Sequence, residues 1–193
     1  LDKGGPLAQS LGYQYGLAIA LQRNRQFDEA GQLLDELLLR EPNRLPYRLQ
    51  RLALDVEIGE LDQALAVLAD LHLGFPGNRA IAMQYAEALI LAGDPQSAKN
   101  AEQVLRQQLL RRGDSPILYE LLARAAAIAG NEIVSAEALA ESYFLMGSVQ
   151  EAMNQLEILE LRDDLNYYQR ARVTSRLEEM RIILADFDQE LSG

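Results

Sequence analysis

A proline-closed helical segment recurs along this chain every 34 residues, and that spacing constrains the fold more than any other feature. Residues 27–42 read FDEAGQLLDELLLREP and residues 61–76 read LDQALAVLADLHLGFP, so Ala30 corresponds to Ala64 and Pro42 to Pro76. In the first copy Leu33, Leu34, Leu37 and Leu38 form an apolar stripe at helical spacing, with Asp28 and Glu29 in the first turn, where they suit the positive end of the helix dipole. A period of this length accommodates two helices and two turns, and a single such hairpin cannot bury its own apolar face. Copies must therefore stack, and function is expected on a surface offered to a partner.

The composition agrees. Leu, Ala, Glu, Gln and Arg dominate, while Val, Ile and Thr are sparse, which favours an all-α chain. A net charge of −11 argues against nucleic acid, whose phosphates need a basic surface, and against an anionic membrane face. No run of 18 apolar residues occurs, so no span is expected. The absence of cysteine excludes disulfides, thiol catalysis and cysteine-bound zinc.

Along the chain, residues 1–6 are expected to form a flexible leader. The missing initiator Met points to a piece of a longer protein, with no signal peptide in this part. The repeat array is expected over 7–162, with four to five hairpins. Its first helix is placed from Leu7 to about Asn24. Gly12 and Gly16 inside it offer a GxxxG spacing, read as room for the neighbouring helix of the hairpin rather than as a dimer seam. The second repeat opens near Pro46 and turns at Ile58-Gly59-Glu60, with an apparent one-residue slip against the first. The third turns at Gly93-Asp94-Pro95 into a long helix to Arg112, where either Ala98 or Ala101 can be the packing alanine and the spacing to Gly113 favours Ala101. The helix from Ile133 to Met146 matches both a second helix and, through Ala136, Leu139, Ala140 and Tyr143, a first helix. It is read as shared between repeats four and five. Residues 163–193 form a closing segment, with a helix from about Asn166 to Leu191. Val173, Leu177, Met180, Leu184, Phe187 and Leu191 alternate four and three apart along it. This stripe fits a cap over the end of the stack, or alternatively the seam of a homodimeric coiled coil; its shortness favours the cap and a monomer.

Chemistry is nearly absent from the pattern. His72 is the single histidine, so neither HExxH nor a Ser-His-Asp order can be completed, and its place near a helix C-terminus favours a protonated ring. No calcium loop or glycine-rich phosphate cradle occurs, and Asp163-Asp164 reads as a loop or capping pair. No catalytic, cofactor or metal site is expected in this chain.

Surface remains. In a right-handed stack of hairpins the first helices line the concave face. The repeat register places Tyr15, Ile19 and Arg23 there, then Tyr47, Gln50, Arg51 and Leu54, then Met83, Gln84 and Glu87, and finally Glu120, Arg124, Glu137, Glu141 and Phe144. Exposed aromatic and Met side chains beside charges suit an extended peptide or a neighbouring domain.

The 34-residue hairpin period resembles that of tetratricopeptide repeats, implying a right-handed solenoid of about ten helices with a long C-terminal capping helix. A narrower resemblance rests on three segments. They are Tyr15–Ile19 through Phe27–Ala30, Glu137–Tyr143 leading into Gly147–Ala152, and the tail Tyr168–Arg172 followed by Arg176–Arg181. Together these are similar to the C-terminal repeat domain of periplasmic zinc metallopeptidases of the β-barrel assembly-enhancing type. The resemblance implies a periplasmic location and a preceding HExxH domain that holds the zinc and is absent from this chain. It implies as partners that protease domain and outer-membrane assembly components. It also implies that Arg172, Arg176 and Arg181 anchor the last helix through ion pairs, with Glu178 or Glu157 as partners. The generic repeat signal alone also admits a stand-alone adaptor or a self-assembling scaffold.

Overall fold

The structure, a computed structural model, describes residues 10–112 and 115–192; the expected leader and Gly113 lie outside them. Ten α-helices follow one another among the described residues, with no strand. They are α1 (Leu11–Arg23), α2 (Phe27–Arg40), α3 (Leu45–Glu57), α4 (Leu61–Gly74), α5 (Arg79–Ala92), α6 (Pro95–Arg112), α7 (Pro116–Ile128), α8 (Glu132–Leu145), α9 (Val149–Glu160) and α10 (Tyr167–Ser192). The chain divides into two compact units, one through Ala88 and one from Leu89 onward, the division falling inside α5.

The pair α3–α4 repeats the boundaries of α1–α2 at an offset of 34 residues, so the one-residue slip expected between them does not occur. Arg25 is the reason. With φ of 61° it adopts the left-handed conformation that Gly59 holds at 96° one period later, followed by Gly93 at 74°, Gly130 at 78° and Gly147 at 82°. At these turns the next N–H reaches back five residues to cap the helix end. Gln26 donates to the Leu21 carbonyl (2.9 Å), Glu60 to Asp55 (2.8 Å), Asn131 to Ala126 (2.8 Å) and Ser148 to Tyr143 (2.9 Å). The left-handed residue itself donates three residues back, as in Gly59 to Val56 at 3.2 Å. This Schellman closure satisfies carbonyls the helix leaves orphaned and reverses the chain in two to three residues.

The turn also fixes what meets across the hairpins that lie within one unit. Five residues after the left-handed position come Ala30, Ala64, Ser135 and Ala152; seven residues before it come Ala18, Leu52, Ala123 and Ala140. All three alanines of the first group are completely buried, and all four residues of the second are at most 7% exposed. In the fourth hairpin the contact is directly visible, since Ser135 Oγ donates to the Ala123 carbonyl at 2.9 Å. On α6 both candidates for the third hairpin's packing alanine, Ala98 and Ala101, are fully buried.

Helix α8 carries the left-handed turn at both ends, 17 residues apart, which is half a period. It is the second helix of the hairpin with α7 and the first helix of the hairpin with α9, as its sequence indicates. A second serine clip, Ser142 Oγ to the Pro116 carbonyl at 3.0 Å, holds its other end to α7.

Other helix starts follow ordinary capping chemistry. Ser10 Oγ accepts from the Tyr13 N–H at 3.2 Å, and α1 opens at Leu11; Leu7, the expected start, lies outside the described residues. Asn166 and Gln169 cap one another's N–H groups at 2.9 Å, starting α10, while Asp163 and Asp164 stay in the preceding turn. Gly12 and Gly16 do not admit a close neighbour: a Cβ on either would meet nothing within 4 Å among the described residues.

In the first unit Ala18, Ala30, Leu34, Leu37, Tyr47 and Leu54 form one core cluster, and Leu52, Ala64, Leu68, Leu71, Ile81 and Ala88 another. In the second, Ala140, Ala152, Met153, Leu156 and Leu159 pack with Val173, Leu177 and Met180 of α10. The alternating stripe of α10 is therefore core, which rules it out as a free dimer seam; the side chains of Phe187 and Leu191 lie outside the described residues.

Gly59 and Gly130 have open space where a Cβ would go, so Gly59→Ala and Gly130→Ala should cost only backbone strain, about 1–2 kcal/mol each in urea denaturation. Arg25→Gly should move the midpoint the opposite way, by roughly 1 kcal/mol, because it relieves the same strain.

Candidate protein-interaction site

In the first unit, α1, α3 and α5 present one side chain after another to an open depression of about 390 Å³. Its lining includes Tyr15, Leu49, Gln50, Met83, Gln84 and Glu87. Tyr15 lies against the Tyr47 ring (centroids 5.1 Å apart), and its hydroxyl donates to the Pro46 carbonyl at 3.4 Å. Burial, then the neighbouring Tyr47, holds the Tyr15 phenol above its ordinary pKa, so it is a neutral donor. Amides link the three helices. Gln50 donates to Gln22 at 2.7 Å, Gln22 to Glu57 at 2.9 Å, and Gln84 to the Leu49 carbonyl at 2.7 Å.

Of the residues expected on this face, Tyr15, Gln50, Met83, Gln84 and Glu87 meet at the depression. Ile19 is half-buried and Arg23 exposed. Tyr47 (5% exposed) and Leu54 (1%) are core side chains, so they cannot touch a partner; the register rotates them toward α1 and α2, with which they cluster. Arg51 is held by Asp35 at 2.9 Å and by Asp55. The Gln22–Gln50–Glu57 row is invisible in sequence, since a glutamine at a buried position carries no signal distinct from a surface one.

In the second unit the corresponding positions are already engaged. Arg172 forks onto both oxygens of Glu137 (2.7 and 2.8 Å), and Arg176 onto both oxygens of Glu141 (2.7 Å each). Arg176 also reaches Glu179 at 2.7 Å and stacks 4.5 Å above the Phe144 ring. Hydrogen bonding to Glu141 raises the Arg176 pKa despite its burial, so the guanidinium stays charged. Arg181 pairs with Glu178 (2.6 Å) and Glu157 (3.3 Å). Arg124, also expected on the groove, is exposed on α7. Glu141 and Phe144 thus serve α10, and the cleft of about 200 Å³ beside them is walled by Leu122, Val134, Leu156 and Val173. Two further arginines escape a reading of the sequence. Arg162 bridges Glu132 (2.6 Å) and Asp164 (2.8 Å), and Arg170 donates to the carbonyls of Glu160 and Arg162 at 2.7 Å, closing the end of α9.

Among the described residues no group of three or more His, Cys, Asp or Glu could hold a metal ion, and no helix is long and apolar enough to cross a membrane. His72 stacks on Tyr85 with centroids 5.5 Å apart, and its buried Nδ1 has no hydrogen-bond partner. Burial lowers its pKa, against the dipole-stabilised protonation expected from the helix end.

Two measurements follow. Arg176→Met should cost about 1–3 kcal/mol in urea denaturation, since it strands Glu141 in a half-buried site. Arg172→Met, whose side chain is 58% exposed, should cost about 0.5–1 kcal/mol. For His72 the unfolded chain takes up its proton near pH 6.5, before the folded one does. Its contribution is complete above that pH and is lost as pH falls through the window between 6.5 and the lowered folded value. The pH dependence of the melting temperature between pH 7 and 5 should be shallower in His72→Phe than in the parent chain.

Comparison with known proteins places this arrangement. No protein-family model matches the chain. It is 28% identical over 179 residues, 92% of its length, to the β-barrel assembly-enhancing protease of Escherichia coli K12, and 26% identical over 185 residues, 94% of its length, to that of Yersinia pestis. The chain spans 36% and 37% of those two proteins, little more than a third of their length. Among solved structures, a thermophilic TPR protein of Thermus thermophilus matches with a TM-score of 0.58, at 19% identity, over 87% of this chain and 99% of its own. A MamA double mutant matches with a TM-score of 0.62, at 17% identity, over 93% and 97%. The chain has the tetratricopeptide-repeat fold and is similar, over nearly its whole length, to part of the β-barrel assembly-enhancing proteases.

Proposed function

We propose that this chain is a non-catalytic protein-interaction repeat domain of a periplasmic zinc metallopeptidase that serves outer-membrane protein assembly and quality control. The observation that carries the reading is the similarity to the β-barrel assembly-enhancing proteases across 92% of this chain, combined with the coverage of only 36% of theirs. What is shared is the repeat portion described above. The zinc and the HExxH motif belong to the part not represented here, since that motif needs two histidines and this chain has one.

The depression in the first unit is the partner site. Leu49 and Met83 offer apolar contact, and the Gln50 and Gln84 amides supply hydrogen-bonding groups suited to a main chain laid across the helices. An extended segment of an outer-membrane assembly component fits this chemistry. On this reading Arg172, Arg176 and Arg181 are structural, holding α10 in place, and residues 163–193 close the array.

A photo-crosslinking amino acid at Met83, in the full chain added to a periplasmic and outer-membrane extract, should capture a component of the assembly machinery. The same residue at Asp62, exposed on α4, should not. Equal capture from both sites, or none from Met83, would refute the groove. Metal-dependent casein cleavage by the purified chain would refute the non-catalytic reading separately.

A further inference from the structure

Helix α10 is built as one more first helix of the array. Polar links between successive first helices span 35 residues, as in Gln22 to Glu57 and Gln84 to Leu49, and Arg172 to Glu137 and Arg176 to Glu141 span the same number. Its inner face is equally regular, with Val173, Leu177 and Met180 at most 1% exposed against the preceding hairpin. One period after Gly147 the left-handed turn would fall at residue 181. Arg181 is instead inside the helix, which runs on to Ser192, and no second helix folds back on α10 among the described residues.

Among the described residues no helix covers the face a second helix would take; on it Thr174 Oγ1 donates to Glu160 at 2.6 Å. Thr174 stands seven residues before position 181, a register at which Ala18, Leu52, Ala123 and Ala140 are all buried; Thr174 is exposed. Tyr167, Ala171 and Ile182 share its side of the helix at helical spacing; Tyr167 is 80% and Ile182 61% exposed. A shallow depression runs over Tyr167, Ala171, Thr174 and Ser175. Of the charges beside it, Arg170 is engaged by two carbonyls, Glu178 by Arg181, and Glu160 accepts from Thr174.

We propose that this face of α10 is a docking site for an amphipathic helix of another protein, which takes the position that the second helix holds in the other hairpins. The array itself specifies the chemistry of that helix. Three hairpins seat Ala-x3-Leu-x2-Leu on this register, as Ala30-Leu34-Leu37, Ala64-Leu68-Leu71 and Ala152-Leu156-Leu159, every one of these side chains at most 5% exposed. The hairpin interface that recurs within each unit is thereby extended by one member. A second copy of α10 does not complement it, because α10 presents the receiving half of the interface and its own apolar stripe is already buried. This inference is independent of the groove in the first unit.

The test uses a fluorescently labelled, end-capped peptide of residues 61–74, which carries the Ala-x3-Leu-x2-Leu pattern, and the whole 193-residue chain. Saturable binding is expected in fluorescence anisotropy. Ala171→Arg should weaken it by about tenfold or more through steric overpacking, without changing the thermal melt, because Ala171 is exposed. Met83→Glu, in the groove, should leave it unchanged. Absence of saturation, or equal binding by Ala171→Arg, overturns the proposal. So does sedimentation showing that the chain dimerises through this face and that Ala171→Arg makes it monomeric.

Discussion

The structure depends on a single backbone state, a residue with positive φ placed once per hairpin. Because the six-to-one bond that follows it fixes both the end of one helix and the start of the next, the turn determines which side chains cross. The small residue five positions on then meets the residue seven positions back, and close approach at that point lets the flanking leucines interdigitate. Helix propensity would produce helices without this turn, but it would not bring Ala30 to Ala18 or Ser135 to Ala123. Glycine holds four of the five positions because it alone occupies that region without Cβ strain. Arg25 shows that the turn outranks the residue: the surrounding hydrogen bonds impose the conformation on a side chain that disfavours it.

The same device explains how the array departs from uniform repetition without breaking. Between ordinary hairpins the chain passes through a wider turn with proline in it, as at Pro42 and Pro76. Between α8 and α9 the left-handed turn appears instead, half a period early. Helix α8 must then present small residues on two faces. It does so with Ser135 and Ser142 toward α7 and Ala140 toward α9. Serine suits this role because its hydroxyl, once close to a helix, finds a carbonyl to donate to and so is not left unsatisfied in the core.

How much of this is legible in the sequence depends on where the signal lies. The period, the all-α class, the long α6, the double identity of α8 and the arginine tail are readable because each is written in residue type at fixed spacing. The apparent slip between the first two repeats arises because the turn marker is glycine at position 59 and arginine at position 25, and conformation is not visible in a residue that does not usually adopt it. Tyr47 and Leu54 fall to the groove in a sequence reading because one turn of helix separates groove from core, and an aromatic or leucine suits either. For His72 the helix end alone misleads, whereas the dominant effect is burial beside Tyr85, which only the tertiary fold supplies. The glutamine row of the first unit is likewise silent in sequence.

The carboxylates Glu137 and Glu141 illustrate how one register position can change its role within an array. Two acidic side chains one turn apart on an uncovered helix would form a recognition surface for a cationic partner. Here Arg172 and Arg176, also one turn apart, neutralise them in two parallel forks. The apolar stripe of α10 specifies which face turns inward but is tolerant of sliding along the helix axis. A displacement by one residue, however, would break both forks at once and lift Arg176 from the Phe144 ring. The ion pairs therefore set axial register while the leucines and methionine supply adhesion, and that register brings Thr174 into line with the buried Ala140 of the preceding first helix. The paired charges of the second unit thus act as a ruler for α10.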